Sequence, residues 1–579
     1  MGQVVHGMGK RRARHRERSI IAWMSTIPAL LLARADLYPN RIFARAKDER
    51  GQWAGVTGKE CLAQVASTAA QLSAMGVVRG DRVGILGNPH PRWTECDFAT
   101  VCLGAITVGI YPTLTADAVA YQLRHAGVKV LLVEDAGQLE RLATVLPPNV
   151  LHARVWELPR AEVDLPAFRA RAEAVSAADV CAIIYTSGTT GNPKGAVITH
   201  GAVTAVCRAS QAAVPMEPGD RSLIFLPLAH SLQRIAVYRG LMEDAEAYFC
   251  SKLTDLPEVL QVARPQILAS VPRMLEKIKS GAEAAVVKRG KVAASLFAWA
   301  MGVGLERSAC IEHGKSLSAG LRVRYAIADR LIFGKVRQRM GGAIRTLACG
   351  GARLDPSVAR FFHATGIDVL EAWGLTETCA PATLNRPGNF KFGTVGQALN
   401  GVEIKLDADG EVLVRGPGLF SGYWEDPAAS AAAFTEDGFF RSGDIGEVDA
   451  DGFLKIVDRK KEILVTAGGK KIPPVNIEKK LEGGAIGQAV VIGDDRAYLV
   501  ALLAPDPEQP CEDRESYAKA RVAAANAELA TFEQIKRWAW LPSPLSVEDG
   551  LLTPTMKLKR KPIAAAYAEL IEGMYGGSP

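Results

Sequence analysis

The sequence predicts an α/β protein of more than one domain, and three observations carry that prediction. At 579 residues the chain is too long to fold around a single hydrophobic core. Between residues 41 and 134, short apolar runs rich in β-branched residues, at 81–87 and 128–134, alternate with segments of helical character. That alternation argues largely parallel sheets covered by helices. Another apolar run, 180–184, reads as a buried strand that delivers the chain into a stretch rich in glycine and hydroxyl groups.

That stretch is Tyr185-Thr186-Ser187-Gly188-Thr189-Thr190-Gly191-Asn192-Pro193-Lys194-Gly195. Glycines let backbone N–H groups converge on an anion, the hydroxyls of Thr186, Ser187, Thr189 and Thr190 add donors, and Lys194 adds a point charge. An ordinary turn needs fewer residues and rarely carries such a set. The P-loop of ATPases does not match, because Asn192-Pro193 separates Gly191 from Lys194 and Gly195 stands where Ser or Thr is required.

Composition narrows the class. Hydrophobic residues make up 48% of the chain and charged residues 23%, the balance of a globular enzyme, and no apolar run reaches the roughly 18 residues that a spanning helix needs. Ten cysteines occur without a C-x-x-C pair, so neither a disulfide framework nor a zinc site is suggested and a reducing, cytoplasmic compartment is expected. The net charge of +7 is unevenly spread. Residues 1–18 hold six Lys/Arg against one Glu, residues 277–339 hold thirteen against four acids, and the remainder is acidic. The second block suggests peripheral docking on anionic lipid at the inner face of the membrane, or on the phosphates of a ligand such as CoA; the alternative is a solvated helix face. Within it, Tyr325, Ala328, Ile332 and Val336 share one face of an expected helix, with Arg324, Arg330, Lys335, Arg337 and Arg339 largely elsewhere.

The start of the chain imitates a signal peptide, being Arg-rich, then apolar from Ile20, with Ala33-Arg34-Ala35 as a small-residue site. Ser25, Thr26 and Pro28 interrupt the apolar part, so residues 1–23 are expected to be a disordered basic extension, with Met24 an alternative start.

Further along come Leu226-Pro227-Leu228-Ala229-His230, Cys349-Gly350-Gly351-Ala352-Arg353-Leu354, Glu371-Ala372-Trp373-Gly374-Leu375-Thr376-Glu377-Thr378, Arg441-Ser442-Gly443-Asp444, Asp458-Arg459-Lys460-Lys461, Thr466-Ala467-Gly468-Gly469-Lys470-Lys471 and Thr553-Pro554-Thr555-Met556-Lys557. Together with 185–195, and in this order, they resemble the motifs of the adenylate-forming (AMP-binding) superfamily. The segments around Tyr111, Arg273 and Tyr325 resemble its long-chain fatty acid:CoA ligase subgroup. There are departures: Gln233 stands where long-chain members usually carry Glu, Trp373 replaces Tyr, Lys471 replaces Asn, and the link 482–488 is short.

The resemblance implies a large N-terminal domain of several subdomains with mixed and parallel sheets, residues 24–457, and a small mobile α+β lid, residues 458–579, turning about Asp458. It implies ATP, Mg²⁺ and coenzyme A as co-substrates and cofactor. The catalytic set would be Lys557, Glu377, Thr186 and Lys194, with Glu377 holding the metal. Nucleotide contacts would come from Thr186, Ser187, Gly188, Thr189, Thr190, Gly191 and Lys194. Gly351, Ala352, Glu371, Ala372, Trp373, Gly374, Thr376, Thr378, Asp444 and Arg459 would complete them, with Trp373 able to stack on adenine. His230, Gly350 and Gly351 would line the acyl pocket, and Gly468, Gly469 and Lys470 the thioester step. The expected reaction is activation of a long-chain fatty acid to acyl-AMP and transfer to CoA. Alternatives are an acyl-AMP ligase serving a carrier protein, an aryl or medium-chain CoA ligase, or a silent acyl- or nucleotide-binding protein.

Overall fold

The computed structural model describes residues 24–48, 50–154, 158, 160–186, 193–468, 470–553 and 555–576. The expected extension 1–23 and the phosphate-loop positions Ser187, Gly188, Thr189, Thr190 and Gly191 lie outside them, as does Gly469.

Two sheets organise the first 400 residues. One has six strands in the order Leu151–Arg154, Val128–Val133, Arg82–Leu86, Ile106–Ile110, Val180–Thr186, Lys194–Thr199, all parallel except the last. The other has nine, and its inner strands, from Asp368–Leu375 through Thr346–Cys349, Ile267–Ser270, Arg221–Ile224 and Glu246–Phe249 to Ile42–Lys47, are parallel. The expected buried strand is there: 180–186 sends Cys181, Ala182 and Ile184 into one core and Ile183 and Tyr185 into another, which is why it reads as a continuous apolar run.

A four-stranded antiparallel sheet spans Glu403–Leu406 to Leu454–Arg459, and a three-stranded sheet, Ile486–Ile492, Leu499–Pro505 and Ile535–Trp540, forms the centre of the C-terminal part with its own apolar clusters. The short link 482–488 is closed by Gly483 and Gly484, both at positive φ (116° and 57°), with the Tyr517 hydroxyl donating to the Gly483 carbonyl at 3.0 Å.

The basic segment is helical, as Pro272–Val287, Lys291–Glu312, Ala319–Ala328 and Gly334–Arg339. Of the residues expected on one face, Tyr325, Ala328 and Ile332 pack on a single apolar cluster, and a π-helical turn, Asp329–Phe333, follows Ala328. The extra residue in that turn rotates Phe333 into the core, where it is fully buried and packs 5.6 Å from Tyr325. Arg337, expected at the solvent face, instead donates to Asp329 and, at 2.6 Å, to the Thr365 carbonyl.

Candidate active site

The parallel strands end where the chemistry begins. Strand Thr346–Cys349 runs into Gly350-Gly351, strand Asp368–Leu375 into Thr376-Glu377, strand Arg221–Ile224 into the segment ending at His230, and strand Val180–Thr186 into the phosphate loop. Carboxyl ends of parallel strands are where open α/β sheets bind ligands, because neighbouring loops diverge there and leave a crevice.

Thr186 and Lys194 face each other across the hairpin that carries this loop, and the Thr186 hydroxyl donates to the Lys194 carbonyl at 3.4 Å. The Lys194 ammonium lies 3.5 Å from Asp426 and 5.0 Å from the centre of the Tyr423 ring. The Tyr423 hydroxyl in turn donates to Glu377 Oε1 at 2.8 Å. Tyr423 therefore couples the loop lysine to the acidic residue expected to hold metal. Neither Tyr423 nor Asp426 was singled out from sequence. An N-cap Asp before Pro427 is a common local feature, and the aromatic gave no chemical signal.

The turn carrying Glu377 is built under constraint. Cys379 and Ala380 adopt φ of 53° and 78°, a region non-glycine residues seldom occupy, and a Cβ on Gly374 would lie 2.0 Å from the Ala380 carbonyl oxygen. Thr378 holds this turn: its buried hydroxyl accepts from Leu375 N at 2.8 Å and donates to the Ala380 carbonyl at 2.7 Å. That corrects the expectation that both threonine hydroxyls face phosphate, since Thr378 is spent inside the turn. Thr376 is half-buried, and its hydroxyl has no hydrogen-bond partner among the described residues.

Asp444 is almost wholly buried and binds two partners, the Trp373 indole N–H at 2.7 Å and the Arg459 guanidinium at 2.8 Å. Trp373 is itself buried among core residues, so in this structure its clearest task is to orient Asp444 through its edge rather than to offer an open ring face. Gly351, at φ 85°, needs glycine where the backbone turns past the strand end; Gly351 and Ala352 are exposed there. Glu371, paired across the sheet with Cys349, is buried, and desolvation pushes its carboxyl up to about 8, against a backbone N–H from Gly393 and the more distant Arg353 charge. Ala372, beside it, is half-buried.

Lys557 enters this cleft from the C-terminal part. Its backbone is fixed by Thr553, whose hydroxyl accepts Lys557 N at 3.0 Å and whose own N–H donates to the Lys557 carbonyl at 2.8 Å. The side chain is open to solvent yet ringed by protein. Desolvation and the Arg459 charge hold its ammonium below the usual lysine range, opposed by Asp444, Glu462 and Glu377. The same ammonium acts on His230, where desolvation first and Lys557 second push the imidazole down to about 4. His230 Nδ1 accepts the Leu232 N–H at 3.1 Å, which leaves the proton of the neutral ring on Nε2.

Residues from five separate motifs thus converge on one cleft: Glu377, Asp444, Arg459, Lys557 and His230. The loop around Gly468 and Lys470 does not join them. It closes on itself through Thr466, and the Lys470 ammonium lies 5.6 Å from the Phe532 ring. Gln233 is buried behind the His230 segment, its carbonyl oxygen accepting Leu226 N at 3.1 Å, so it braces the loop that presents His230.

Comparison with known families covers both parts of the chain that supply this cleft. The model for the AMP-binding enzyme covers residues 31–424 and that for the AMP-binding enzyme C-terminal domain residues 461–578. The chain belongs to the AMP-binding enzyme family. Among similar proteins of this AMP-binding family, the long-chain-fatty-acid--CoA ligase FadD15 of Mycobacterium tuberculosis is 36% identical, over 91% of this chain and 93% of its own. The peroxisomal long chain acyl-CoA synthetase 7 of Arabidopsis thaliana is 30% identical, over 91% and 82%. The solved O-succinylbenzoate coenzyme A synthetase of Bacillus subtilis, in complex with ATP and magnesium ion, shares the fold with a TM-score of 0.69 at 22% identity, over 92% of this chain and 98% of its own.

Proposed function

We propose that this AMP-binding family member is a long-chain fatty acid:CoA ligase that works in two half-reactions. The observation that carries the reading is the convergence of Lys557, Glu377, Asp444 and Arg459 in one cleft, together with the FadD15 relative's name and its near-complete coverage.

In the first half-reaction the fatty carboxylate oxygen attacks the α-phosphorus of ATP, an O–P bond forms, and the bond to the β-phosphate oxygen breaks, releasing pyrophosphate. Charge grows on the α-phosphate and the leaving group, so cations and N–H donors already in position lower the barrier. Lys557, Lys194 and the loop from Thr186 supply them, Asp444 takes the ribose hydroxyls, and Arg459 holds Asp444 in place. Glu377 fits Mg²⁺, being a buried carboxylate oriented by Tyr423 and aimed at the cleft, since Mg²⁺ prefers one or two carboxylates together with phosphate oxygens. When bound, the ion neutralises phosphate charge. His230, neutral with its proton on Nε2, offers a donor beside the acyl carboxylate.

In the second half-reaction the CoA thiolate attacks the acyl carbonyl carbon, the C–S bond forms, and AMP leaves with its oxygen. Lys557 has no task there. The lid, residues 458–579 in this reading, turns about Asp458 and brings Gly468, Gly469 and Lys470 to the cleft. The fatty acid is met at an anionic membrane through residues 277–339, with the protein otherwise in the cytoplasm.

The deciding experiment is ATP–pyrophosphate exchange over acids of increasing chain length, followed by product analysis with and without CoA. Exchange that rises with chain length and CoA-dependent thioester are expected. Acyl-AMP that accumulates despite CoA would point to a carrier-protein acceptor, and no exchange with any acid would defeat the reading.

A further inference from the structure

Helix Lys291–Glu312 departs from the pattern of a surface helix. Between Val292 and Leu305 it carries no charged residue, and a helix apolar all round belongs in a core. Yet its buried residues are confined to one side, at Phe297, Ala300, Val303, Gly304 and Ser308. Along the outer edge of that side, next to Val303, Val292, Leu296 and Trp299 are 85%, 38% and 39% exposed. At 100° per residue these three fall within an arc of about 60°, and the exposed surface continues over the uncharged Ala298 and Gly302.

Cations border this stripe. Lys288, Arg289 and Lys291 lie in the exposed run 287–292, directly before it. Among the described residues none of the three has a carboxylate partner, whereas Arg324 and Arg337 nearby are paired with Glu306 and Asp329. The adjoining helix Ala319–Ala328 leaves Val323 and Ile327 62% and 47% exposed, between the exposed Arg322 and Arg330. A second copy laid on the same face across a two-fold axis would set these cations against their own kind. An anionic bilayer answers both features, since its phosphates attract the cations and its acyl boundary accepts the apolar side chains.

We propose that the outer face of helix Lys291–Glu312 is a membrane-docking surface, with Val292, Leu296 and Trp299 entering the boundary between headgroups and acyl chains of an anionic bilayer. Lys288, Arg289 and Lys291 lie at its phosphates. This deepens the ligase reading, on which it rests for the insoluble substrate, by naming the element that meets the membrane and by adding an apolar component to charge attraction.

The test is co-sedimentation of the full chain with vesicles of phosphatidylcholine, with and without phosphatidylglycerol, at low and high salt. Wild type binds the phosphatidylglycerol vesicles, and a measurable part of that binding survives high salt, where surface charge is screened. Leu296→Ser with Trp299→Ser lowers binding by at least about tenfold at either salt, because both apolar anchors are lost. Lys288→Gln, Arg289→Gln and Lys291→Gln together remove the low-salt gain, about fivefold for each cation. Unchanged thermal midpoints, and unchanged thioester formation from a soluble short acid, establish that both variants are folded. No wild-type binding at low salt, or a serine double variant that binds like wild type, overturns the proposal. So does concentration-dependent self-association in sedimentation that the double variant abolishes, which would make the face an interface between copies. If the ligase reading alone fails, vesicle binding persists without acyl-CoA formation.

Discussion

Lys557 stands where protein crowding and Arg459 weaken its ammonium while Asp444, Glu462 and Glu377 sustain it. A cation so placed assists only while negative charge grows on phosphate. Lys557→Ala should slow acyl-adenylate formation by roughly 100- to 1,000-fold, the usual loss for one preorganised group, and leave thioester formation from supplied acyl-adenylate intact. Separate single-turnover assays of the two half-reactions measure this. Tyr423 stands one step behind, its hydroxyl on Glu377 and its ring under Lys194. Tyr423→Phe keeps the ring and removes the hydroxyl. The Mg²⁺ concentration for half-maximal adenylation should rise about 10- to 100-fold, as for other partners that orient a metal-binding carboxylate. An unchanged Mg²⁺ requirement would show that Glu377 holds its orientation without this bond.

At the scale of elements, strand Asp368–Leu375 carries a carboxyl into the core at Glu371, with its folded-state value raised from 4.5 to about 8. A group whose folded value is raised binds more protons folded than unfolded between those two values, so its contribution to stability falls as pH rises from about 4.5 to about 8. Glu371→Gln removes that dependence. Its stability relative to wild type should grow by about 1.4 kcal/mol per pH unit over the interval and level off above it. Urea unfolding of both proteins at several pH values tests the sign and the slope, and parallel curves would mean the carboxyl is already ionised in the fold. The turn after this strand carries the left-handed Cys379 and Ala380. Its backbone conformation could not be read from residue type, because neither residue announces positive φ as glycine does.

For the whole molecule, side chains join the C-terminal part to the rest of the chain at several contacts among the described residues. Arg353 donates to Asn476, Lys277 pairs with Glu508 at 2.8 Å, and Lys479 pairs with Glu276 at 3.3 Å. The exposed Lys277–Glu508 pair contributes about 0 to 1 kcal/mol, whereas the Lys479–Glu276 pair is largely covered, its lysine also held by Glu482 at 2.9 Å. Asp458 lies in the last strand of the four-stranded sheet, its carboxylate accepting Arg459 N at 2.7 Å, with desolvation pushing it up to about 6. Asp458→Pro, which fixes φ there, should spare adenylation and depress thioester formation at least about tenfold, the reverse of Lys557→Ala. Loss of both half-reactions to the same degree in a folded protein would remove Asp458 as the hinge.

What the sequence determined by itself was local and ordered. A continuous apolar run at 180–184 marked the strand 180–186, and glycine and hydroxyl content singled out the stretch after it, because backbone freedom and donor chemistry belong to residue types. The motifs around Glu377, Asp444 and Lys557 were legible for the same reason, and so was their family. Only the tertiary structure decided what surrounds each group. Tyr423 reaches Glu377 from 46 positions away, the Trp373 indole is turned onto Asp444, Thr378 is spent in its own turn, and a π turn carries Phe333 inward. Packing alone decided that Val292, Leu296 and Trp299 of helix Lys291–Glu312 stay outside the core. Burial and pairing are properties of the assembled chain, because they depend on which distant segments arrive at the same place, and no residue carries that in its own chemistry.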